Sequence, residues 1–290
     1  MVFARRISIL FVTLLLAGLG GATLLRLAPG FGVDERDLDS RLNAVSHEAV
    51  EAVGAGEGNV GRFYLLYLSR LAQGDLGTSR LFSRPVVELL RERLPLTMGT
   101  VLAGFAMAWA AGLALSAVSA MARNQALPFA LAGFGSALLC VPSALMAVMF
   151  YRMDVPASAG VAAVIFPKVF FYSKRLFRAS LAKPHVLTAR AKGLGDVRVF
   201  AWHAVPPVAG ELFALVGVTL ALGLSAAIPL EVILDLPGIG QLAWKAALGR
   251  DLSLLVSLTL LIGAFTLVAN AFADALAHAT PGAGSNDNSR

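Results

Sequence analysis

Six long apolar runs, separated by polar stretches, dominate the pattern of the chain. A helix needs about 20 predominantly apolar residues to cross the hydrocarbon core of a bilayer, and the runs have about this length. We therefore predict an all-α membrane protein with six transmembrane helices. The predicted helices cover approximately residues 7–25, 96–121, 126–150, 157–173, 208–230 and 252–276.

Prolines indicate where this regular pattern changes. Pro142 falls inside the third run and is expected to break that helix, and Pro167 with Lys168 makes the end of the fourth run irregular. Proline lacks a backbone N–H and its ring clashes with the preceding turn, so it often ends a helix. For the same reason we expect a short charged helix over residues 85–93 to stop at Pro95.

The first apolar run, residues 7–25, has two interpretations. The basic residues 1–6 and the small residues 20–22 fit a cleaved signal peptide. The length of the run fits a membrane span better than the shorter core of a signal peptide. We predict a retained first helix within residues 1–27.

Two polar regions lie between the runs on the same predicted side of the membrane. Residues 28–94 mix acidic and basic residues, and apolar stripes recur near 40–53 and 60–73. A stripe with helical spacing needs a partner to bury it, so we expect a folded, helical extracytoplasmic subdomain. The remaining parts are a second loop on that side (231–251), a five-helix core (95–280) and a disordered C-terminal tail (281–290).

The distribution of charge predicts the orientation. Lys and Arg concentrate in loops that face the cytoplasm, and one side of the six-helix arrangement carries almost no acid besides Asp196. This side is therefore predicted to be cytoplasmic, together with both chain termini and the loop of residues 174–207. The basic residues on it are Arg5, Arg6, Arg123, Lys174, Arg175, Arg178, Lys183, Arg190, Lys192 and Arg198.

Composition agrees with a membrane protein and argues against several other classes. Hydrophobic residues make up 57% of the 290 residues and charged residues 14%, whereas soluble domains carry about 25% charged residues. The single Cys140 and four scattered histidines give no metal-binding pattern. The net charge of +6 is explained by the cytoplasmic basic residues, so we expect no nucleic-acid binding.

The apolar runs contain no evident energy source for transport. The acidic residues Glu211, Glu231 and Asp274 fall near helix ends, where an interfacial position costs little. The sequence has no Gly-x-x-x-x-Gly-Lys-Ser/Thr loop that would bind a nucleotide. Uphill transport would therefore need energy from another polypeptide.

Residues 185–206 stand out as a basic, polar stretch between apolar runs. We predict two short helices with a turn at residues 193–195, and Leu187, Ala191 and Leu194 on one face. Gly193 permits the sharp reversal. Such a helix fits a groove on a cytoplasmic partner or the anionic headgroups of membrane lipids, and these residue types favour neither over the other.

Residues 188–194, Thr-Ala-Arg-Ala-Lys-Gly-Leu, resemble the cytoplasmic loop of ABC importer permeases, and specifically the dipeptide/oligopeptide/nickel branch. That loop has Glu-Ala-Ala, three residues, Gly, nine residues and Ile-x-Leu-Pro. Residues 187–189 stand at the Glu-Ala-Ala position, with Leu187 where Arg or Glu is usual, and 203–206 stand at the end. Further matches are Gly-Asp-Leu-Gly-Thr-Ser at 74–79 with Arg84-Pro85-Val86, Leu94-Pro95-x-Thr97, and Pro-Gly-Ile-Gly at 237–240 with Arg250-Asp251.

The resemblance implies a permease subunit that forms half of a translocation pathway for peptides or a related small solute. A second, related permease would complete the pathway in the inner (plasma) membrane of a bacterium. Two cytoplasmic ATPases would dock the coupling loops, and an extracytoplasmic binding protein would deliver the substrate. The chain would be no enzyme and would hold no cofactor, since ATP and Mg would bind the ATPase subunits. The implied ATPase-coupling residues are Leu187, Thr188, Ala189, Arg190, Ala191, Lys192, Gly193, Leu194, His203 and Pro206.

Two other classes of function remain compatible with the pattern. One is a membrane scaffold or assembly factor whose basic cytoplasmic loop binds lipid or a soluble partner. The other is a stand-alone secondary transporter or channel, which the absence of a midplane ion pair and of repeated spans in the sequence disfavours.

Overall fold

The computed structural model describes residues 12, 13, 16, 18–20, 23, 68–71, 73–122 and 124–279. The described part is helical apart from two strands of two residues each, in agreement with the predicted fold class. The elements are β1 (Thr78–Ser79), β2 (Arg84–Pro85), α1 (Val86–Met121), α2 (Ala126–Cys140), α3 (Ser143–Arg152), α4 (Ala157–Leu181), α5 (Pro184–Ala191), α6 (Asp196–Val199), a π-helical turn (Phe200–Ala204), a 3-10 turn (Pro206–Val208), α7 (Ala209–Ile233), α8 (Ile239–Leu248) and α9 (Leu252–Ala279).

Two compact units divide the described residues. One consists of residues up to Leu94 together with Leu242–Ala264, and the other of Pro95–Gln241 and the residues from Phe265 onward. In the first unit, β1 and β2 pair antiparallel with Ser79 opposite Arg84. The turn that precedes β1 contains Gly74 and Gly77 at φ +81° and +75°, which fits the turn predicted at residues 74–79.

The start of α1 is anchored in the first unit. Val86 and Leu89 are fully buried, at 0% and 1% exposure. On the solvent side, Arg84 lies 3.2 Å from Glu92 and 3.4 Å from Glu88. The hydrogen bond to Glu92 raises the pKa of the Arg84 guanidinium.

The second unit is built around α4, which packs against α2, α3 and α7. Small residues allow close approach of its neighbours. A Cβ on Gly112 of α1 would lie 2.7 Å from Val169 of α4, and a Cβ on Gly104 would be equally close to Val161. Glycine at these positions therefore brings α1 into backbone-level contact with α4, as is usual for helices that pack in lipid.

The expected stop at Pro95 is wrong. The helix α1 continues through Pro95 for 36 residues. Proline removes one i to i−4 hydrogen bond, but an apolar helix that is packed on both sides of the proline tolerates this loss. Leu89 and Leu90 before Pro95, and Val101 after it, are all buried. Likewise Pro167 lies inside the continuous α4 and does not interrupt it.

The break at Pro142 is confirmed. The helices α2 and α3 meet there at an angle of 101°. Pro142 immediately precedes the first residue of α3, where its missing N–H costs nothing. The third predicted span is therefore a bent pair rather than one straight helix.

Within the described residues, fewer than six helices are long and apolar enough to cross a membrane. Three do so on their own, namely α1, α9 and the helical stretch Asp196–Ile233 that ends with α7, and the bent pair α2–α3 makes a fourth if it counts as one span. The predicted fourth span belongs to α4, in which Pro167, Lys168 and Lys174 reduce the hydrophobicity. The structure therefore supports a helical membrane protein at this coarser level.

Several expectations lie largely or wholly outside the described residues. These are the first predicted helix, apart from a few helical residues between 12 and 23, most of the subdomain at 28–94, and the tail at 281–290. The loop predicted at 231–251 is described, and it contains the ten-residue helix α8.

Candidate functional site

The stretch that we call the polar segment, residues 184–208, folds around a small core of its own. Val186 and Ala189 of α5 and Val199 of α6 are buried at 0%, 4% and 0% exposure. Leu181 and Leu194 pack against them. The segment is thus a folded unit held by apolar contacts and not an extended loop.

A left-handed residue produces the turn between α5 and α6. Gly193 has φ +78°, a conformation that costs an L-residue about 1 kcal/mol or more. Its N–H donates to the carbonyl of Arg190 at 2.9 Å. Arg190 also lies 3.7 Å from Asp196 across the turn. The predicted reversal at residues 193–195 is confirmed.

The structure separates a buried and an exposed face of α5. Val186 and Ala189 face the core, whereas Leu187 is 60% exposed and Ala191 is also exposed. Leu194 is half-buried. Leu187 and Ala191 therefore share an exposed face, as predicted, whereas Leu194 lies beyond the end of α5 and packs against the core formed with α6.

The predicted coupling residues divide into an outer and an inner set. Ala189 is buried and supports the helix from within, and Leu194 and His203 are partly buried. The remaining seven are exposed, namely Leu187, Thr188, Arg190, Ala191, Lys192, Gly193 and Pro206. The structure thus places an exposed leucine on a short helix that contains Arg190 and is followed by Lys192.

The polar segment is fastened to α4. The hydroxyl of Ser180, a buried residue, donates to the carbonyl of Ala204 at 2.7 Å. The rings of Phe177 and Phe200 meet edge to face with centroids 4.9 Å apart. A ring nitrogen of His185 lies 3.1 Å from the carbonyl of His203, so the first residues of α5 contact the π-helical turn.

The other end of the polar segment continues directly into α7. The 3-10 turn Pro206–Val208 leads into Ala209 without a loop. Val208 is buried with Leu176 and Phe177 of α4. The polar segment is therefore held at both ends, by α4 and by α7.

Two large exposed side chains were not among the predicted coupling residues. Val197 and Trp202 are each 74% exposed. They occupy the half of the polar segment that follows the turn. Residues 196–206 are mostly apolar, so hydrophobicity alone did not distinguish these two side chains from their buried neighbours.

Glu231 is the functional candidate that the sequence interpretation missed. It lies near the end of α7, as predicted, but its side chain is 0% exposed. Its carboxylate accepts hydrogen bonds from the Thr97 hydroxyl and the Gly240 N–H, both at 2.6 Å. The Thr97 hydroxyl oxygen in turn accepts from the N–H of Ile239 at 2.8 Å. These contacts join the motifs at 94–97 and 237–240, which are far apart in sequence.

A second buried acid joins the two remaining motifs in the first unit. Asp251 is 1% exposed and accepts a hydrogen bond from the hydroxyl of Ser79 at 2.5 Å. It also accepts from the N–H groups of Leu81 and Leu254, each at 3.1 Å. The motif at 74–79 and the pair Arg250-Asp251 therefore meet in space.

Metal-binding geometry is absent from the part of the chain that the structure describes. No group of three or more His, Cys, Asp or Glu side chains is placed there to hold a metal ion. The features that stand out are an exposed basic helix and two buried carboxylates that bind backbone N–H and hydroxyl groups.

The chain belongs to the family described as binding-protein-dependent transport system inner membrane components. The family model matches residues 112–280, which include the polar segment and most of the Glu231 cluster. The predicted family is therefore confirmed, and the chain is a transport permease component of the inner membrane with several membrane-spanning helices.

Three of the curated relatives are named oligopeptide transport system permease protein OppB. The protein from Escherichia coli K12 is 29% identical over 263 residues, which cover 83% of this chain and 85% of the relative. That from Salmonella typhimurium LT2 is 30% identical over 69% of this chain and 72% of its own length. The protein from Haemophilus influenzae is 28% identical over 73% of this chain and 76% of its own length.

Proposed function

We propose that the chain is the membrane-spanning permease subunit of an ATP-driven peptide importer, and that the polar segment is its docking element for a cytoplasmic ATPase. The observation that carries the proposal is the placement of Leu187. A leucine that is 60% exposed lies on a short helix between basic side chains, and the helix has a core of its own.

Exposure of Leu187 is favourable for docking. A large apolar side chain that is exposed on a rigid helix supports helix-in-groove recognition, in which an apolar anchor enters a pocket of the partner. Arg190 and Lys192 flank this anchor and suit an acidic rim on the partner. The core of the polar segment limits the conformational entropy that is lost on binding.

The attachment of the polar segment supports the transfer of force into the membrane domain. Ser180 and Phe177 link it to α4, and Pro206–Val208 lead into α7. A displacement of the docked helix would therefore move two long helices together. The membrane helices offer no nucleotide-binding loop of their own.

The division of labour follows from this proposal. A second related permease subunit would form the other half of the pathway, and two ATPase subunits would bind ATP and Mg. An extracytoplasmic binding protein would deliver the cargo. The six-span topology, with both termini and the polar segment in the cytoplasm, is part of the same proposal and rests on the distribution of Lys and Arg.

Peptides are the proposed cargo, because the relatives are named as oligopeptide permeases and match across most of the chain. A membrane scaffold whose basic segment binds lipid is the second candidate. The exposure of Trp202, close to the start of α7, favours it, since tryptophan prefers the membrane interface.

Co-purification separates the two candidates. The chain is expressed with its partner permease and tagged ATPases, and Leu187→Asp is compared with Leu248→Asp. Both leucines are exposed, at 60% and 66%, but Leu248 lies in the predicted outer loop. We expect Leu187→Asp alone to reduce ATPase binding by about tenfold, as for loss of an interface anchor. Unchanged ATPase binding, or no ATPase bound to the unaltered chain, would contradict the docking role.

A further inference from the structure

Glu231 is a fully buried acid in the last turn of α7, two residues before the helix ends at Ile233. A buried carboxylate in an apolar surrounding is costly unless donors surround it. An acid in a membrane-spanning helix is therefore expected to have a task.

The donors around Glu231 are polar but uncharged. The Thr97 hydroxyl donates to one carboxylate oxygen and the Gly240 N–H to the other, each at 2.6 Å. The N–H of Gln241 donates to the same carboxylate. Three polar groups therefore contact the two oxygens of one buried carboxyl group.

The backbone donors belong to the first turn of α8. Ile239, Gly240 and Gln241 are its first three residues, and N–H groups in the first turn have no partner within their own helix. The N-terminus of a helix also carries partial positive charge. Glu231 therefore supplies the missing acceptors from a position nine residues before Gly240.

The backbone at the start of α8 and just before it lies close against the Glu231 carboxyl group. A Cβ on Gly238 would overlap the carboxyl group of Glu231, and a Cβ on Gly240 would lie 2.9 Å from its Oε2. Glycine at both positions lets the backbone close around the acid. The contact is therefore tight and specific, because a carboxyl group at this distance leaves no room for a side chain on either glycine.

The helix α7 connects Glu231 to the polar segment. The helix α7 has 25 residues and is therefore about 37 Å long. Its first residue follows the polar segment directly, and Glu231 lies in its last turn. One continuous helix thus has the proposed ATPase-docking element at one end and a three-way junction with Thr97 and the start of α8 at the other.

We propose that Glu231 is a positioning residue for transport, which makes residues 237–241 and the Thr97 turn of α1 follow the displacement of α7. The inference rests on the proposed function. The docked ATPase displaces the start of α7, and the carboxylate carries that displacement to the opposite end. Without the carboxylate, ATP hydrolysis by the partner subunits continues but no longer drives the outer end of the pathway.

The test uses the assembled importer in lipid vesicles, with both permeases, the ATPases and the binding protein. Peptide uptake and ATP hydrolysis are measured on the same sample for Glu231→Gln, Glu231→Ala and Thr97→Val. The matched control is Glu211→Gln, which changes an exposed acid in the first turn of the same helix. We expect the ATP consumed per peptide to rise by about tenfold for Glu231→Gln, as for loss of a buried hydrogen bond. Glu211→Gln is expected to behave as the unaltered chain.

Two results would overturn the inference. One is an unchanged ratio of ATP to peptide in the Glu231 variants. The other is a proportional fall of uptake and hydrolysis, which indicates only a structural role. If the Glu231 variants fail to assemble, the ratio of ATP to peptide is measured for Thr97→Val and Gly238→Ala instead, and the same two results overturn the inference. Failure of the unaltered chain to take up peptide or bind ATPases would contradict the proposed function instead, so the two failures are distinguishable.

Discussion

Ser79 and Asp251, 172 positions apart in the sequence, form a buried hydrogen bond of 2.5 Å between hydroxyl and carboxylate. Asp251 also accepts from the N–H of Leu254 in the first turn of α9, as a helix-capping acid does. One side chain therefore closes the turn after β1 and starts the last helix.

Replacement of Asp251 should destabilise the unit that it joins. We expect Asp251→Ala to lower the free energy of unfolding by about 2–3 kcal/mol, because it removes a cap and leaves the buried Ser79 hydroxyl without its acceptor. Thermal unfolding of the purified protein in detergent measures the change. The control is Glu88→Ala, an exposed acid paired with Arg84, which should leave the melting temperature nearly unchanged. Equal effects of the two variants would contradict the assignment.

Gly193 should resist substitution for a conformational reason and not for lack of space. Its φ is +78°, and a Cβ at this position would meet no atom within 4 Å beyond its chain neighbours. We expect Gly193→Ala to cost about 1 kcal/mol in the polar segment and to weaken ATPase binding. The nearby Gly195 has φ −66° and equally open surroundings, so Gly195→Ala should be tolerated. Hydrogen exchange of residues 186–199 and ATPase co-purification are the measurements, and loss of binding in both variants would show that the turn geometry is not the cause.

Close packing of α1 on α4 predicts a contrast between two glycines of one helix. A Cβ on Gly112 would lie 2.7 Å from Val169, whereas Gly99 has open space around it. We expect Gly112→Ala to destabilise the protein by about 1–3 kcal/mol, as overpacking does, and Gly99→Ala to have little effect. Thermal unfolding in detergent compares the two, and a Gly112→Ala protein of unchanged stability would mean that α1 and α4 can separate without cost.

The proposed orientation makes a labelling prediction. In a Cys140→Ser background, Lys192→Cys and Leu248→Cys each provide a single reactive thiol at an exposed position. We expect a membrane-impermeant maleimide to label residue 248 in intact spheroplasts, and residue 192 only after the membrane is opened. The positive-inside distribution of Lys and Arg is the reason. The reverse labelling pattern would overturn the topology.

Local signals in the sequence were sufficient to predict some breaks and turns of the fold, but not others. The break at Pro142 and the turn at Gly193 were predicted correctly, because each depends on the conformational limits of one residue type. The stop at Pro95 was wrong because packed side chains on either side of the proline outweigh the lost hydrogen bond. The placement of Leu194 beside Leu187 was wrong because Leu194 packs in a core with Val199, which lies beyond the turn.

The burial of Glu231 required information that no local pattern contains. Its partner Thr97 is 134 positions away, and an acid near the end of an apolar run usually lies at the interface. The clue was present in the motifs at 94–97 and 237–240, which in the sequence are two separate matches to the family. Their shared contact with one carboxyl group explains Thr97 in the first motif and the two glycines in the second.

The small core of the polar segment has a consequence for the choice of partner. Val186, Ala189 and Val199 hold the helix in shape from one side, while Leu187 and Lys192 are exposed on the other. Substitutions on the outer side leave that core untouched. Under the proposed docking role, a few surface changes on α5 are therefore expected to alter which ATPase binds, with no new fold and no change in the long helices.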